Sequence, residues 1–214
     1  MKKVAIVASA SGNGKTTLGR ELARRLDVPF VEVDSLVHGP NWLEASDEEL
    51  RERLLPVLDR DGWVVDGTYR RKLGDLVLER ADIVVWVDLP LRVWLPRLLR
   101  RTVRRLRGRE VLWNDNRESL RGAFWGRESL FGFALRMHVE RRRRYPVELA
   151  PYPHVRLRSP AAVARWLDDY SSSAISAAAR DAPSVSKSMR RPAPYRSSRW
   201  WTWKFCSKWW ASGK

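Results

Sequence analysis

The segment from Ser9 to Thr16 contains the residue types that bind the phosphates of a nucleotide. Its sequence is Ser-Ala-Ser-Gly-Asn-Gly-Lys-Thr, and it lies between an apolar run at residues 4–8 and a helical pattern at residues 17–26. A strand, a glycine-rich loop ending in Gly-Lys-Thr and a helix, in this order, form a P-loop. Backbone N–H groups of such a loop, and of the helix that follows it, point towards bound phosphate. The sequence therefore predicts a phosphate-binding loop, against the alternative of a Gly/Ser loop with a chance lysine.

Single residues of this loop have separate predicted roles in binding ATP and Mg²⁺. Lys15 supplies a positive charge for the β- and γ-phosphates, and the Thr16 hydroxyl supplies an oxygen ligand for Mg²⁺. Gly12 and Gly14 allow positive φ angles and a close approach of the backbone to phosphate. The usual motif begins with glycine where this chain has serine, so we expect some steric cost in the turn. The predicted nucleotide-binding residues are Ser9, Ser11, Gly12, Asn13, Gly14, Lys15, Thr16 and Thr17.

The first ten residues also have features of a secretory signal. Lys2 and Lys3 precede the apolar run, and Ala8-Ser9-Ala10 resembles a cleavage site. The apolar run has only the minimum length for a signal, however, and it leads directly into the glycine-rich loop. A buried parallel strand explains it better, so we expect a cytoplasmic protein.

Two carboxylates follow predicted strands that are expected to lie near the loop. Asp34 follows the strand at residues 30–33, and Asp66 ends the strand at residues 63–66. The carboxyl ends of parallel strands face the binding crevice. Asp34 could therefore hold a substrate hydroxyl, accept its proton or help to organise Mg²⁺, and Asp66 could hold Mg²⁺ through water. Arg70 could hold a substrate phosphate with two hydrogen bonds. The alternatives are a helix-capping aspartate and a glycine turn flanked by surface charges.

His38 and Trp42, just past Asp34, could line an acceptor pocket. Trp42 would then stack on a base or a ring of the substrate, although a tryptophan packed in the protein interior is an equal alternative. The three histidines are scattered, and the single cysteine, Cys206, lies near the C-terminus. No spacing in the sequence therefore predicts a zinc-type metal site.

A dense run of arginines between residues 97 and 109 could stabilise the charge that develops in phosphoryl transfer. On a helix, four of them would share one broad face, and they could belong to a mobile lid at about residues 97–144. We assign catalytic roles to Arg101 and Arg105. A solvated or RNA-binding basic helix is the alternative, and most of the second cluster, Arg141–Arg144, is assigned to a solvated helix end. The four arginines of the shared face are Arg97, Arg101, Arg104 and Arg105.

Short apolar segments alternate with helical patterns over residues 1–170, which predicts a parallel α/β sheet. No apolar run approaches the roughly 20 residues of a membrane span. The predicted helices cover about residues 17–26, 46–58, 91–107, 117–144 and 161–170, with a capping box at Ser46 and a kink or early end at Pro56. The predicted strands are Val4–Ala8, Phe30–Val33, Trp63–Asp66, Ile83–Asp88 and His154–Leu157.

The formal net charge of the 214-residue chain is +16, and half of it lies at the C-terminus. Residues 171–214 hold nine Lys or Arg and one acid, for +8, and they are rich in Ser and Pro before a cluster of Trp and Lys. We predict one domain at residues 1–170 and a disordered tail at 171–214. The Trp/Lys cluster could touch membranes or stack on nucleic acid, and an incidental extension is the favoured alternative.

Together these segments resemble the small P-loop kinases related to adenylate and shikimate kinases. Within that group the chain is most similar to bacterial adenylate-kinase-like proteins often labelled DNA topology modulation proteins. The resemblance covers about residues 1–170 and implies ATP binding, a sheet of strand order 2-3-1-4-5 and an arginine-bearing lid. Asp66-Gly67 with Arg70 is similar to the Asp-Gly-x-x-Arg of nucleoside monophosphate kinases, in which the arginine meets substrate phosphate. The segments that carry the resemblance are Ser9–Thr17, Val33-Asp34 with Trp42, Gly62–Arg70 and Ala81–Asp88.

The leading hypothesis is a monomeric, ATP-dependent kinase that moves a γ-phosphoryl group to a nucleotide, nucleoside or other small acceptor. The alternative is a nucleic-acid-associated NTP-binding protein that uses the arginine runs and the tail. We favour the first hypothesis, because the loop, Asp34, Asp66 and Arg70 form a connected set, whereas half of the excess charge lies outside it.

Overall fold

A computed structural model of the chain describes residues 2–39, 43–108 and 129–181. Five strands form one all-parallel sheet with the order β2-β3-β1-β4-β5, as expected from the resemblance. The strands are β1 Lys3–Ala8, β2 Phe30–Glu32, β3 Trp63–Asp66, β4 Ile83–Val87 and β5 His154–Leu157. Since β1 lies between β3 and β4, the loop that follows β1 is flanked by the ends of both neighbours.

Helices cover both faces of this sheet. In the described part of the chain they are α1 Lys15–Leu26, α2 Val33–Val37, α3 Asp47–Leu58, α4 Arg70–Leu73, α5 Leu76–Arg80, α6 Leu91–Gly108, α7 Leu130–Glu148 and α8 Pro160–Asp181. Within these residues no helix combines the length and the apolar character needed to cross a bilayer.

Alternate residues of the central strands enter two separate cores. Ala5 and Val7 of β1 pack with the leucines of α3 on one face, whereas Val4 and Ile6 pack with α1 and α8 on the other. All of these strand residues are at most 3% exposed. Burial on both faces explains why the strands are continuous apolar runs rather than alternating ones. Two cores hold β1 rigidly, and with it the start of the phosphate loop.

The start of α3 has the predicted capping box. The Ser46 hydroxyl accepts a hydrogen bond from the Glu49 N–H at 3.1 Å, and the Glu49 carboxylate accepts one from the Ser46 N–H at 3.1 Å. Pro56 lies in the last turn, and the helix ends two residues later at Leu58. A proline in the last turn removes little, because few residues remain to continue the helix.

Several predicted boundaries need correction. The last helix does not end at Tyr170 but continues to Asp181. Its serines at 171–173 suggested a boundary, yet the alanines beyond them favour helix, and Ser171 is 4% exposed while Ala174 packs on the core of α1. Helix α7 begins at Leu130, where the Ser129 hydroxyl caps it; the earlier predicted start at residue 117 lies outside the described residues. Strands β2 and β4 each end one residue earlier than predicted.

Candidate active site

The phosphate loop connects β1 to α1 and requires glycine at two positions. Gly12 has φ 83° and Gly14, which caps α1, has φ 86°. A Cβ atom at Gly12 would lie 2.8 Å from the carbonyl oxygen of Trp94 and 3.0 Å from Cβ of Leu98. Both neighbours belong to α6 and are fully buried. The backbone conformation and the close approach of α6 therefore both exclude a side chain at Gly12.

A cleft of about 1240 Å³ extends from this loop. The four arginines predicted to share a face of α6 all line it, together with Glu32 and Asp34 at the end of β2. Its apolar wall comes from the first turns of α8. The cleft-lining residues of that wall are Pro160, Val163, Ala164 and Leu167. Predicted loop residues Ser11, Gly12, Asn13, Gly14, Lys15, Thr16 and Thr17 also line the cleft.

Lys15, Thr16 and Asp66 form one polar cluster at the floor of the cleft. The Lys15 ammonium pairs with Oδ1 of Asp66, and the Thr16 hydroxyl lies 2.7 Å from Oδ2 of the same carboxylate. Asp66 is opposite Ile6 in the register of β3 on β1, which brings its side chain beside the loop. Its side chain is 1% exposed, so the lysine balances a charge that burial alone would make costly.

Glu32 belongs to the same cluster, although the sequence did not single it out. Its Oε1 lies 3.1 Å from the Thr16 hydroxyl. Burial raises the pKa of Glu32 above its usual range, and the nearby charge of Asp66 raises it further. The signal that could have found it is its place two residues before Asp34, at the same strand end. These oxygens suit Mg²⁺, although the described residues hold no group of three His, Cys, Asp or Glu side chains arranged to bind a metal.

Asp34 lies in the first turn of α2, and a tyrosine holds its side chain. The Tyr69 hydroxyl donates a hydrogen bond of 2.6 Å to Oδ1 of Asp34. Tyr69 has φ 41°, a left-handed conformation that is uncommon for a bulky residue. Burial raises the pKa of Tyr69, and the Asp34 charge raises it further, so the phenol is neutral and can donate. Asp34 is thus fixed in orientation where it lines the cleft.

Arg70 does not line the cleft in this structure. Its Nε atom bonds to Asp75 at 2.5 Å, and its Nη1 atom lies 3.3 Å from Glu148. Contact with substrate phosphate would require it to leave these partners, and this role stays a prediction. Another arginine, Arg141 of α7, donates a hydrogen bond of 3.0 Å to the carbonyl oxygen of Ala8. Its positive charge partly offsets the rise in the pKa of Tyr69.

Ser9 faces the protein interior and does not line the cleft, whereas Asn13 lines the cleft but is nearly buried. Ser9 is fully buried, and it is not among the described non-glycine residues with positive φ. The backbone at Ser9 therefore has none of the left-handed strain that would favour glycine there. Asn13 is 3% exposed and bonds to loop and strand-end backbone. His38 forms an isolated backbone bridge with Glu44, and Trp42 lies outside the described residues.

The sequence and the fold are similar to those of shikimate kinases. A family model for shikimate kinase matches residues 11–41. A shikimate kinase from Sulfurihydrogenibium is 28% identical over 112 residues, which cover 46% of this chain and 67% of that enzyme. One from Brucella canis is 26% identical over 118 residues, which cover 49% of this chain and 59% of the enzyme. The crystal structure of shikimate kinase from Bacteroides thetaiotaomicron covers 80% of this chain and 97% of its own, with a TM-score of 0.50 and 15% identity.

These similarities support the predicted P-loop phosphotransferase. The matched residues 11–41 include Lys15, Thr16 and Asp34, which the cleft brings together. At 15% identity the structural similarity shows the fold alone. The coarser part of the predicted resemblance, a P-loop kinase of the adenylate and shikimate kinase type, is confirmed. The comparisons do not specifically support the DNA topology modulation group, and they give no support to the nucleic-acid alternative.

Proposed function

We propose that this protein is an ATP-dependent kinase that phosphorylates a hydroxyl group of a small molecule. The observation that carries the proposal is the convergence of Lys15, Thr16 and Asp34 on one cleft, which four arginines of α6 also line. A phosphate loop alone predicts nucleotide binding. Asp34, held in the first turn of α2 just past β2, adds a carboxylate that can act on an acceptor.

The cleft offers complementary surfaces for the two ends of ATP. Backbone N–H groups at the start of α1 and the Lys15 ammonium would hold the phosphates. Lys15 would exchange its bond to Asp66 for a bond to phosphate. The apolar side chains of Val163 and Leu167 line the same cleft, and they offer a flat surface to the purine base.

The residues for Mg²⁺ are Thr16, Asp66 and Glu32. All three present oxygen atoms, the ligands that Mg²⁺ prefers, and the Thr16 hydroxyl lies within hydrogen-bond distance of both carboxylates. The bound ion would neutralise charge on the transferred phosphoryl group. Burial and the charge of Asp66 raise the pKa of Glu32, and a cation held here would offset the second of these causes.

Asp34 would orient the acceptor hydroxyl and take its proton. The hydrogen bond from Tyr69 leaves the second carboxylate oxygen for this task. Arg97, Arg101 and Arg105 line the same cleft, where their guanidinium groups would stabilise charge on the equatorial phosphoryl oxygens. The acceptor class is a small hydroxyl compound, and shikimate is the first to test because the matched relatives carry that name.

The proposal is tested by ADP release in the presence of Mg-ATP and a panel of shikimate, other hydroxy acids, sugars and nucleosides. We expect one acceptor to raise ADP release and to yield a phosphorylated product in equal amount. Asp34→Asn should lower this turnover by about 100-fold or more and leave Mg-ATP affinity unchanged. Asp59→Asn, at the end of α3 beyond the cleft, is the matched control and should retain full turnover. Equal turnover in the Asp34 variant would refute its role as the base.

A further inference from the structure

Ser9, at the position where the P-loop motif usually has glycine, makes two buried hydrogen bonds. Its hydroxyl donates to Oδ1 of Asp88 at 2.6 Å and accepts from Nε1 of Trp86 at 2.9 Å. Ser9, Trp86 and Asp88 are each at most 1% exposed. A glycine here would leave both partners short of one bond, and unmade buried bonds are costly. The serine is therefore a connecting element between β1 and β4.

Asp88 is a buried carboxylate that bonds to two arginines as well as to Ser9. Nε of Arg142 bonds to its Oδ1 at 2.8 Å, and Nη2 of Arg156 bonds to its Oδ2 at 2.6 Å. The Arg156 guanidinium also lies 4.0 Å from the ring centre of Trp86. Ser9 follows β1, Arg142 belongs to α7 and Arg156 belongs to β5, so three elements meet at the Asp88 carboxylate. Breaking such a buried ionic network at one member is costly.

The phosphate loop has a second attachment at Leu89, the residue that follows Asp88. Oδ1 of Asn13 accepts a hydrogen bond from the Leu89 N–H at 2.8 Å, and its Nδ2 donates to the Ala10 carbonyl at 2.8 Å. Ser9 and Asn13 thus tie the loop to the consecutive residues Asp88 and Leu89. The loop's shape is consequently fixed from the β4 side before any phosphate arrives.

We infer that Ser9 and Asp88 are positioning residues for the nucleotide phosphates, and that Asp88 couples the phosphate loop to α7 through Arg142. The inference rests on the proposed nucleotide binding and adds a determinant of its strength. Preorganised N–H donors bind phosphate more tightly, because the loop loses less conformational freedom on binding. The arrangement of α7 then affects ATP affinity, although Arg142 does not line the cleft.

The test is calorimetric titration of Mg-ATP into the full chain and into Ser9→Ala, Arg142→Gln and the double variant. We expect Kd to rise about five- to tenfold in each single variant, a change that corresponds to the net contribution of one typical hydrogen bond. The double variant should show less than the product of the two effects, because both bonds act through Asp88. Ser46→Ala, which removes the remote cap of α3, is the matched control: its melting temperature should fall while Kd stays unchanged.

A Ser9→Ala variant that melts earlier but binds Mg-ATP within twofold of the wild type would reduce the network to a role in stability and overturn the inference. Multiplicative effects of the two substitutions would overturn the coupling through Asp88. If the wild-type chain itself does not bind Mg-ATP, the proposed function fails and not this inference alone. The two failures are therefore distinguishable in one series of titrations.

Discussion

At the scale of single residues, Tyr69 combines backbone strain with a contact to the candidate base. Its φ of 41° costs energy for a non-glycine residue, of the order of 1–3 kcal/mol. The same conformation caps α4 and directs the phenol to Asp34. Backbone strain of this kind is a recurrent feature of functional sites. The strain at Tyr69 is consistent with a positioning role for this residue.

Replacing Tyr69 by phenylalanine removes only the hydrogen bond to Asp34. Without that bond the carboxylate can rotate away from the acceptor, so we expect acceptor turnover to fall about tenfold, the effect of about 1.4 kcal/mol. Mg-ATP affinity should not change, because Tyr69 does not line the nucleotide cleft. Steady-state kinetics with the acceptor found by the panel measure turnover, and calorimetry measures the affinity for Mg-ATP. A variant with normal turnover would contradict the positioning role.

The substitution Gly12→Ala tests the fit between the loop and α6. Its Cβ would collide with the carbonyl oxygen of Trp94 at 2.8 Å, which forces either the loop or α6 to move. We expect Mg-ATP binding to weaken by at least about 100-fold, since misplaced N–H donors lose their contacts. Gly74→Ala is the matched control: Gly74 has φ 60° but nothing within 4 Å of an added Cβ. It should lose about 1 kcal/mol of stability and keep its nucleotide affinity.

The sequence predicted those residues whose role follows from type and local spacing. Lys15, Thr16 and Asp34 could be found because a motif or a strand end marks them. The role of Asp88 could not be predicted, since it depends on contacts with residues distant in the chain, and Glu32 was marked only by its place at the same strand end as Asp34. Ser9 was found as a departure from the motif, but only the packing of β4 against β1 shows what its hydroxyl does.

At the scale of elements, the strand order determines which residues meet. The pairing of β1 with β3 places Asp66 beside Lys15, and the pairing of β1 with β4 places Asp88 beside Ser9. Short apolar runs predicted all five strands of the described part of the chain, and the signal is strongest for β1, β3 and β4, which are buried. The length of α8 was underestimated, since serines are common both at helix ends and within helices that pack, as Ser171 does.

Tyr170 makes the packing of α8 sensitive to alkaline pH. Burial raises the pKa of Tyr170 from 10.0 to about 12, and the nearby Asp82 contributes. The folded state therefore keeps a proton that the unfolded state loses above pH 10, so stability falls as pH rises from about 10 to 12. Allowing for partial exposure, we expect Tyr170→Phe to remove about 1–2 kcal/mol of this loss. Urea unfolding of the wild type and of Tyr170→Phe at pH 9 and pH 11.5 measures the fall in the free energy of unfolding. An identical fall in the two proteins would show that Tyr170 is not its source.

At the scale of the whole molecule, the excess positive charge divides between two regions. The residues that follow α8, 182–214, carry eight Lys or Arg and no acid. Four arginines of α6 line the cleft instead, where their charge suits a polyphosphate. Net charge alone therefore did not separate a kinase from a nucleic-acid-binding protein, and the position of the charge along the chain was the useful signal.

A chain ending after Asp181 should retain Mg-ATP binding, because the described cleft residues all precede that point. A chain ending after Tyr170 should melt at a lower temperature, since Ser171 and Ala174 would no longer pack against the core. Calorimetry and thermal unfolding of the two shortened chains beside the full chain check both expectations. Loss of nucleotide binding on removal of residues 182–214 would show that the tail takes part in the site.

The central claim is that the loop from Ser9 to Thr16 binds the phosphates of ATP, and direct titration of Mg-ATP into the full chain tests it most simply. We expect one molecule of Mg-ATP to bind per chain, Lys15→Ala to abolish the binding heat, and Lys2→Ala to bind as the wild type does. Lys2 precedes the other end of β1, so its removal changes the net charge equally without touching the cleft. Absence of binding in the wild type, or equal binding by the Lys15 variant, would contradict the account.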